Sequence, residues 1–348
     1  MKNNKQKKIL ITGCAGFIGY HLTKYYLKKK YLVIGIDNLS REGTHYNLKA
    51  LQKASNFAFY KEDVRNFKKI TQIFKEHQPF DLIIHEAGQV AVTTSIVNPR
   101  EDFEINALGA FNLLEATRLY SPKSVFIYPS TNKVYGSFNH LKMVEDEEKY
   151  RFTTLTKGIG EKAALDFHSP YGCSKGAADQ YVRDYHRIYG LKTIVLRQSC
   201  IYGTRQFGLT DQGWVAWFIL AAMLNKPLTV FGNGKQVRDV LWIGDLVKAY
   251  DLLYRNAGRA SGQIFNIGGG LDNCLSLLEL IQYLREKQIL GQDIIYRDWR
   301  SGDQKIYISD VSKIKTFISW KPRTSVQSGL EKTIKWVSKN KKLLSELY

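Results

Sequence analysis

The run KKILITGCAGFIGYHLTKYYLKKK, residues 7–30, restricts the fold more than any other stretch of this 348-residue chain. A short apolar strand meets glycines at 13, 16 and 19 and passes straight into an amphipathic helix. Gly13 permits a tight strand-to-helix turn, Gly16 lets backbone approach a pyrophosphate, and Gly19 lets the helix lie against the sheet. The helix begins with Phe17 and Ile18, and its open amides and positive end complete an anion-binding corner. A glycine loop alone is weak evidence; flanked by a strand and a helix it marks a dinucleotide-binding βαβ unit.

The same alternation continues downstream. YLVIGIDN, FAFYKEDVRN, FDLIIHEAG, SVFIYPS and KTIVLRQS have the apolar character of buried strands, and FKKITQIFKEH, NALGAFNLLEATRLY and GAADQYVRDYHRIYG have helical periodicity. Strands alternating with helices predict an α/β fold: a Rossmann-type, doubly wound parallel sheet covered on both faces. After about Tyr202 the pattern loosens into turn-rich short strands and a separate helix, SLLELIQYLREKQI. The expected division is a Rossmann domain over residues 1–202, with return segments around 236–268, and a smaller α+β substrate domain over 203–348.

Composition removes several function classes. The longest apolar run, WVAWFILAAML from Trp214 to Leu224, is shorter than the roughly 20 residues that span a bilayer. The basic start runs directly into a strand with no signal-peptide pattern, so a cytoplasmic protein is expected. Cys14, Cys173, Cys200 and Cys274 are scattered, with no Cys-x-x-Cys pair and no histidine at zinc-ligand spacing, so no metal site is expected. His21, His85 and His168 lack triad or ligand spacing, and core or cap roles are expected for the first two. The formal charge of +19 could steer the chain to nucleic acid, but the lysines are spread along its length and no aromatic stacking motif accompanies them.

Candidate cofactor residues follow from the strand ends. Asp37 closes the second strand 18 residues after Gly19, where a carboxylate accepts from an adenosine ribose and disfavours a 2′-phosphate, so NAD is expected rather than NADP. Asn38, Ser40 and Arg41 continue that turn. Asp63 and Val64 follow the third strand, near the expected adenine; Ala87, Gly88 and Gln89 follow the fourth, bordering pyrophosphate and nicotinamide ribose. Tyr171 and Lys175 in SPYGCSKGAADQY are four apart at the start of a helix and therefore share one face. A free tyrosine ionises near pH ~10, and a neighbouring ammonium favours its phenolate. Thr94, Ser95, Gln198 and Ser199, after the fourth and sixth strands, are candidates to line a sugar pocket.

TGCAGFIG, DNLS, DVR, HEAG, STNKVYG, YGCSK and RSGDQ occur in an order and spacing similar to those of the extended short-chain dehydrogenase/reductase family of nucleotide-sugar enzymes. The resemblance covers nearly the whole chain. It implies that Thr131 hydrogen-bonds the reacting sugar oxygen, that Tyr171 is the acid/base, and that Lys175 orients the cofactor. It also implies that Arg238 and Arg300 clamp a nucleotide diphosphate, that Asp303 holds its ribose, and that the chain self-associates as a dimer or tetramer. The family's 4,6-dehydratases carry an Asp-Glu pair directly after that threonine, to eliminate water. Here Asn132 and Lys133 stand instead, so hydride chemistry without elimination is expected. The blocks AGQVAVTTS (87 to 95), DFEINALGAFNLLEA (102 to 116), DFHSPYGCSKGAADQY (166 to 181), DQGWV (211 to 215), GNGKQVRDVL (232 to 241) and SLLEL (276 to 280) are most similar to the branch that epimerises CDP-sugars at C2. Where 4-epimerases of the family carry an asparagine, this chain has Cys200. Within the C2 branch the sugar pair stays open, 6-deoxy or a hexose pair such as CDP-glucose and CDP-mannose, and three alternatives to it remain: a 4-epimerase with the same catalytic residues, a reductase that releases its nicotinamide cofactor each cycle, and a basic nucleic-acid-binding Rossmann protein.

Overall fold

A computed structural model describes residues 6–138, 140–300 and 302–348. The first five residues of the basic start, Asn139, and Ser301 of the RSGDQ block lie outside the described residues.

The six expected strands, β1 (Lys8–Thr12), β2 (Leu32–Ile36), β3 (Phe57–Tyr60), β4 (Leu82–His85), β5 (Val125–Thr131) and β6 (Lys192–Gln198), form one sheet with a further strand, β7 (Ile264–Ile267). Their spatial order is β7-β6-β5-β4-β1-β2-β3, and the pairs from β5 across to β3 are parallel. In register, Ile9 of β1 faces Val33 on one side and Leu82 on the other. The chain builds outward from β1 to β3 and then returns to start β4 on the opposite side. That reversal opens a crevice at the carboxyl ends of β1 and β4, the usual ligand position in a doubly wound sheet. Helices Phe17–Lys28, Phe67–His77, Gly109–Tyr120 and Ser169–Tyr189 supply the crossovers.

The chain divides into two compact units, and the expected break at 202 is not where it does so. The first unit comprises residues 1–131, 170–196 and 247–264; the second comprises 132–169, 197–246 and 265–348. The first crossing therefore comes directly after Thr131, inside STNKVYG. Sequence periodicity could not locate it, because neither the short turn Asn132–Tyr135 nor the short strands after it carry a long-range signature. Within the span 236–268, where a return segment was expected, residues 247–264 fall in the first unit, beginning inside the helix Ile243–Arg255.

The first unit's core gathers Leu10, Ile34, Ile83 and Phe126 from the sheet with Leu113, Ala178 and Val182 from helices. In the second unit the strand Val237–Trp242 pairs with Cys274–Ser276, Ile306–Tyr307 and Cys200–Tyr202. The apolar run near Trp214 is the helix Trp214–Met223, which buries Phe218, Ile219 and Leu220 in a core with Leu280, Leu284 and Leu330. Among the described residues no helix is long and apolar enough to cross a membrane.

Candidate active site

The glycine loop is built for close packing of backbone on backbone. Gly13 has φ of +65°, a conformation glycine adopts at no steric cost. A Cβ there would lie 2.6 Å from the Ala87 amide nitrogen, and one at Gly19 would lie 2.0 Å from the Gly13 carbonyl oxygen. No side chain caps the helix Phe17–Lys28, whose N-cap is Gly16, so its first amides stay available to an anion. The ends of β1 and β4 are tied together at this point. Thr12 Oγ1 lies 2.7 Å from His85 Nδ1 and accepts the Ala87 amide at 3.2 Å. His85 is a buried core residue, as expected; burial, and then the Lys175 charge, hold its imidazole down to about 3.

Asp37 is buried at the end of β2, where its two carboxylate oxygens accept the Ala15 amide at 2.9 Å and the Leu39 amide at 2.8 Å. The residue expected to meet a ribose thus also staples the glycine loop. Burial pushes its pKa up, against the backbone amides that favour the charged form. Asn38 donates to Asp63 at 2.9 Å, and Ser40 is an exposed residue whose amide donates to Asn38 Oδ1 at 3.1 Å. Arg65 grips Asp63 with two bonds of 2.9 Å. Desolvation opposes ionisation of Asp63, but Arg65 and Asn38 outweigh it and hold the carboxyl down to about 2. Val64 packs in the core, and its carbonyl accepts from Asn112 at 3.0 Å. Arg41 is partly buried, and its carbonyl accepts from Thr44 Oγ1 at 2.6 Å.

A second network was not anticipated from the sequence. Asp102, 1% exposed, accepts from Gln89 Nε2 at 3.0 Å, from Asn106 Nδ2 at 3.1 Å and from the Ser174 hydroxyl. Asn106 lies in a π-helical turn, Glu104–Leu108, a distortion that recurs at functional sites. It also accepts the Gln89 amide at 3.0 Å, donates to the Gln89 carbonyl at 3.1 Å, and closes on Gly88, where a Cβ would lie 3.0 Å from its Oδ1. The Gln89 side chain is therefore turned inward to brace the loop after β4. Both DFEINALGA and HEAG are legible as motifs, but spacing gives no sign that Asp102, Asn106 and Ser174 converge from distant segments.

Thr131 ends β5, and Tyr171 and Lys175 open the 21-residue helix Ser169–Tyr189; all three are less than 10% exposed. Ser95 has no exposed surface: its hydroxyl donates to the Val92 carbonyl at 2.6 Å and accepts the Tyr171 amide at 3.1 Å. It anchors the start of the helix that carries Tyr171 and Lys175, while Thr94 beside it is exposed. The Lys175 ammonium stands 4.3 Å from the centre of the Tyr128 ring. Burial holds Lys175 down to about 8, against the carboxylates of Glu86, Asp102 and Asp179, which favour its charged form.

The second unit has its own cationic cluster. Lys133 donates to the Gly302 carbonyl at 3.1 Å and is held down to about 8 by burial and by Arg238, against Asp303 and Cys200. Arg238 also donates to the Val237 carbonyl at 2.8 Å. Arg300 stacks 3.6 Å over the Phe231 ring and pairs with Asp211 at 2.8 Å, and its carbonyl accepts the Asp303 amide at 3.2 Å. Gln198 is buried, and Ser199 donates to the Asp239 carbonyl at 2.9 Å and to its carboxylate. Ser199, expected at a sugar pocket, is half-buried and holds a buried acid. Lys133, absent from the expected substrate contacts, is the most informative member of this group. Among the described residues no cluster could hold a metal ion.

Residues 10–333 match the GDP-mannose 4,6 dehydratase family model. The chain is 46% identical over 336 residues to a CDP-paratose 2-epimerase of Salmonella typhi, covering 95% of this chain and 99% of that protein. It is 33% identical over 348 residues to a dTDP-glucose 4,6-dehydratase of Salmonella typhimurium, covering 96% and 93%. Among solved structures it is similar to a UDP-glucuronic acid 4-epimerase from Bacillus cereus in complex with UDP-glucuronic acid and NAD, with a TM-score of 0.81, 28% identity, and 95% and 99% of the two chains covered.

Proposed function

This chain belongs to the GDP-mannose 4,6-dehydratase family, within the extended short-chain dehydrogenases/reductases, and from that premise we propose a cytoplasmic nucleotide-sugar 2-epimerase that interconverts CDP-paratose and CDP-tyvelose. One observation carries the reading: full-length similarity to a CDP-paratose 2-epimerase goes together with Asn132 and Lys133 at the two positions after Thr131. An amide and an amine cannot act as the carboxylate pair that eliminates water, so the dehydratase chemistry in the family's name is closed to this chain.

The loop suits NAD, because Gly13 and Gly19 hold the turn and the helix close against neighbouring backbone and leave the first amides of the helix without a side-chain cap, as a pyrophosphate site requires. Gly16 and the first turn at Phe17 and Ile18 would hold the phosphates, Asp37 the adenosine ribose, and Lys175 the nicotinamide ribose. When bound, NAD+ accepts a hydride from one sugar carbon and gives it back, which leaves the coenzyme catalytic. Thr131 holds the C2 oxygen by a hydrogen bond. Tyr171 takes the proton of that hydroxyl as C2 becomes a carbonyl and returns it when the opposite face is reduced. Ser95 fixes the start of the helix that carries Tyr171 and Lys175. Arg238 and Lys133 meet the diphosphate, with Arg300 released from Asp211 to join them and Asp303 on the nucleotide's ribose.

Incubating the protein with CDP-paratose and following products by proton NMR tests this. CDP-tyvelose should form without added cofactor, and Tyr171→Phe should lower kcat by about 10²–10⁴ with bound NAD unchanged. Inversion at C4, or consumption of NAD in proportion to product, would overturn the reading.

The finer reading of partners is self-association. Phe103, Leu108, Phe111, Tyr181 and Ile188 are exposed, and the Phe111 and Tyr181 rings meet at 5.6 Å between the helices Gly109–Tyr120 and Ser169–Tyr189. A second copy of this chain covers that apolar face; sedimentation at micromolar concentration should give a dimer or tetramer, and Phe111→Glu should give a monomer.

A further inference from the structure

Between Gly13 and Tyr20 the backbone directs its donors in a fixed order. The Cys14 amide donates to the Ile36 carbonyl at 3.3 Å, the Gly16 amide to the Gly13 carbonyl at 3.0 Å, and the Tyr20 amide to the Gly16 carbonyl at 2.9 Å. The Ala15 amide goes to Asp37 at 2.9 Å. The carbonyl of the same residue is met from another element: Asn47 Nδ2 donates to it at 3.0 Å. Both peptide groups of Ala15 are therefore held by side chains from outside the loop.

Asn47 stands on the helix Thr44–Leu51, between β2 and β3, and is 32 residues from Ala15 in the chain. Thr44, Asn47, Leu48 and Leu51 recur at helical spacing and form that helix's buried face. The helix is entered through Gly43, at φ of +79°, and Thr44 Oγ1 donates to the Arg41 carbonyl at 2.6 Å. An asparagine that is 1% exposed costs stability unless its amide is bonded, and a leucine would fill an inward position without that cost. Its bond to Ala15 offsets the cost and carries the effect of the side chain into the loop.

We propose that Asn47 is a positioning residue for the coenzyme: with Asp37 on the Ala15 amide and Asn47 on the Ala15 carbonyl, the glycine loop holds its binding shape before a pyrophosphate arrives. The inference rests on the reading of this loop as the NAD site and deepens it. A loop with glycines at 13, 16 and 19 has more backbone freedom to lose than most, and freedom already lost does not oppose binding. The uncapped first turn of the helix Phe17–Lys28 is steadied by the same bonds. A coenzyme that takes a hydride and returns it must outlast many turnovers in its site, and a preset loop slows its escape.

Asn47→Leu keeps the volume and removes the bond, and Asn47→Asp keeps the shape and sets an acceptor against the Ala15 carbonyl. The holoenzymes are exchanged against radiolabelled NAD, and melting temperatures are taken with and without NAD. Both variants should release NAD about tenfold faster or more, the consequence of leaving a buried carbonyl unpaired, and the rise in melting temperature that NAD produces should shrink. In steady-state assays with CDP-paratose the loss should fall on KM for NAD more than on kcat. Exchange within about threefold of wild type overturns the proposal. So does a melting temperature lowered equally with and without NAD, which is the mark of a packing role. A wild type that carries no NAD overturns the cofactor reading and this inference with it. If exchange quickens as expected while CDP-paratose is not epimerised, Asn47 stands and the substrate reading fails.

Discussion

His85 should make the first unit selectively sensitive to acid, by an amount the structure sets. Its imidazole is buried, bonded through Nδ1 to Thr12 at 2.7 Å, and has no partner at Nε2 among the described residues. Burial lowers its pKa from 6.5 to about 3, so the folded state excludes a proton that the unfolded state accepts. A depressed base of this kind contributes stability that is complete above 6.5 and is lost as pH falls toward 3. At about pH 4.5, two units below the unfolded value, the loss is about 3 kcal/mol, at about 1.4 kcal/mol per unit. Its chain neighbour runs the opposite way. Glu86, raised from 4.5 to about 7, favours the folded state increasingly as pH drops across that interval, also by about 3 kcal/mol. The two terms nearly cancel, so the wild-type curve by itself would hide both.

The double difference with His85→Asn exposes the histidine, because asparagine can meet Thr12 without titrating. All six tryptophans lie at or beyond position 214, in the second unit, so their fluorescence would report the wrong half of the chain. Urea denaturation read by pulsed hydrogen exchange of the β1 and β4 peptides reports the right one. Between pH 7.5 and 4.5 the wild type should lose about 3 kcal/mol more than the variant. Equal losses, within about 0.5 kcal/mol, would refute the assignment of that proton to His85.

Three further outcomes are expected. Gly19→Ala forces a methyl group to 2.0 Å from the Gly13 carbonyl oxygen; overpacking of this sort costs about 1–3 kcal/mol, and the purified variant should show a lower melting temperature and at least tenfold weaker NAD binding. Lys133→Met removes a cation beside Arg238; the KM for the CDP-sugar should rise about 10- to 100-fold, the worth of a charge-assisted bond, and a loss confined to kcat in steady-state assays would count against diphosphate binding. Asp102→Asn leaves one oxygen for three donors; kcat should fall while far-UV circular dichroism stays unchanged, and wild-type turnover would show that the network is dispensable.

The dinucleotide corner and the helix that begins at Tyr171 and Lys175 could be read directly from the chain because their constraints are local. Glycines at 13, 16 and 19 answer to the geometry of one turn, and Tyr171 and Lys175 share a face because a helix repeats every 3.6 residues. The replacement of two carboxylates by Asn132 and Lys133 is equally local, and it fixes what the chain cannot catalyse. Contacts that depend on distant partners were not legible in the chain. The bonds of Ser95 to the Tyr171 amide and of Ser199 to Asp239 could not be seen in spacing, because each joins segments far apart in the chain. The meeting of Asp102 with Ser174, one residue before Lys175, has no signature in spacing, since the two come from separate elements. Sequence periodicity records which face of an element is apolar; only the packed sheet decides which buried charges must answer one another, because their cost arises when water is excluded from all of them at once.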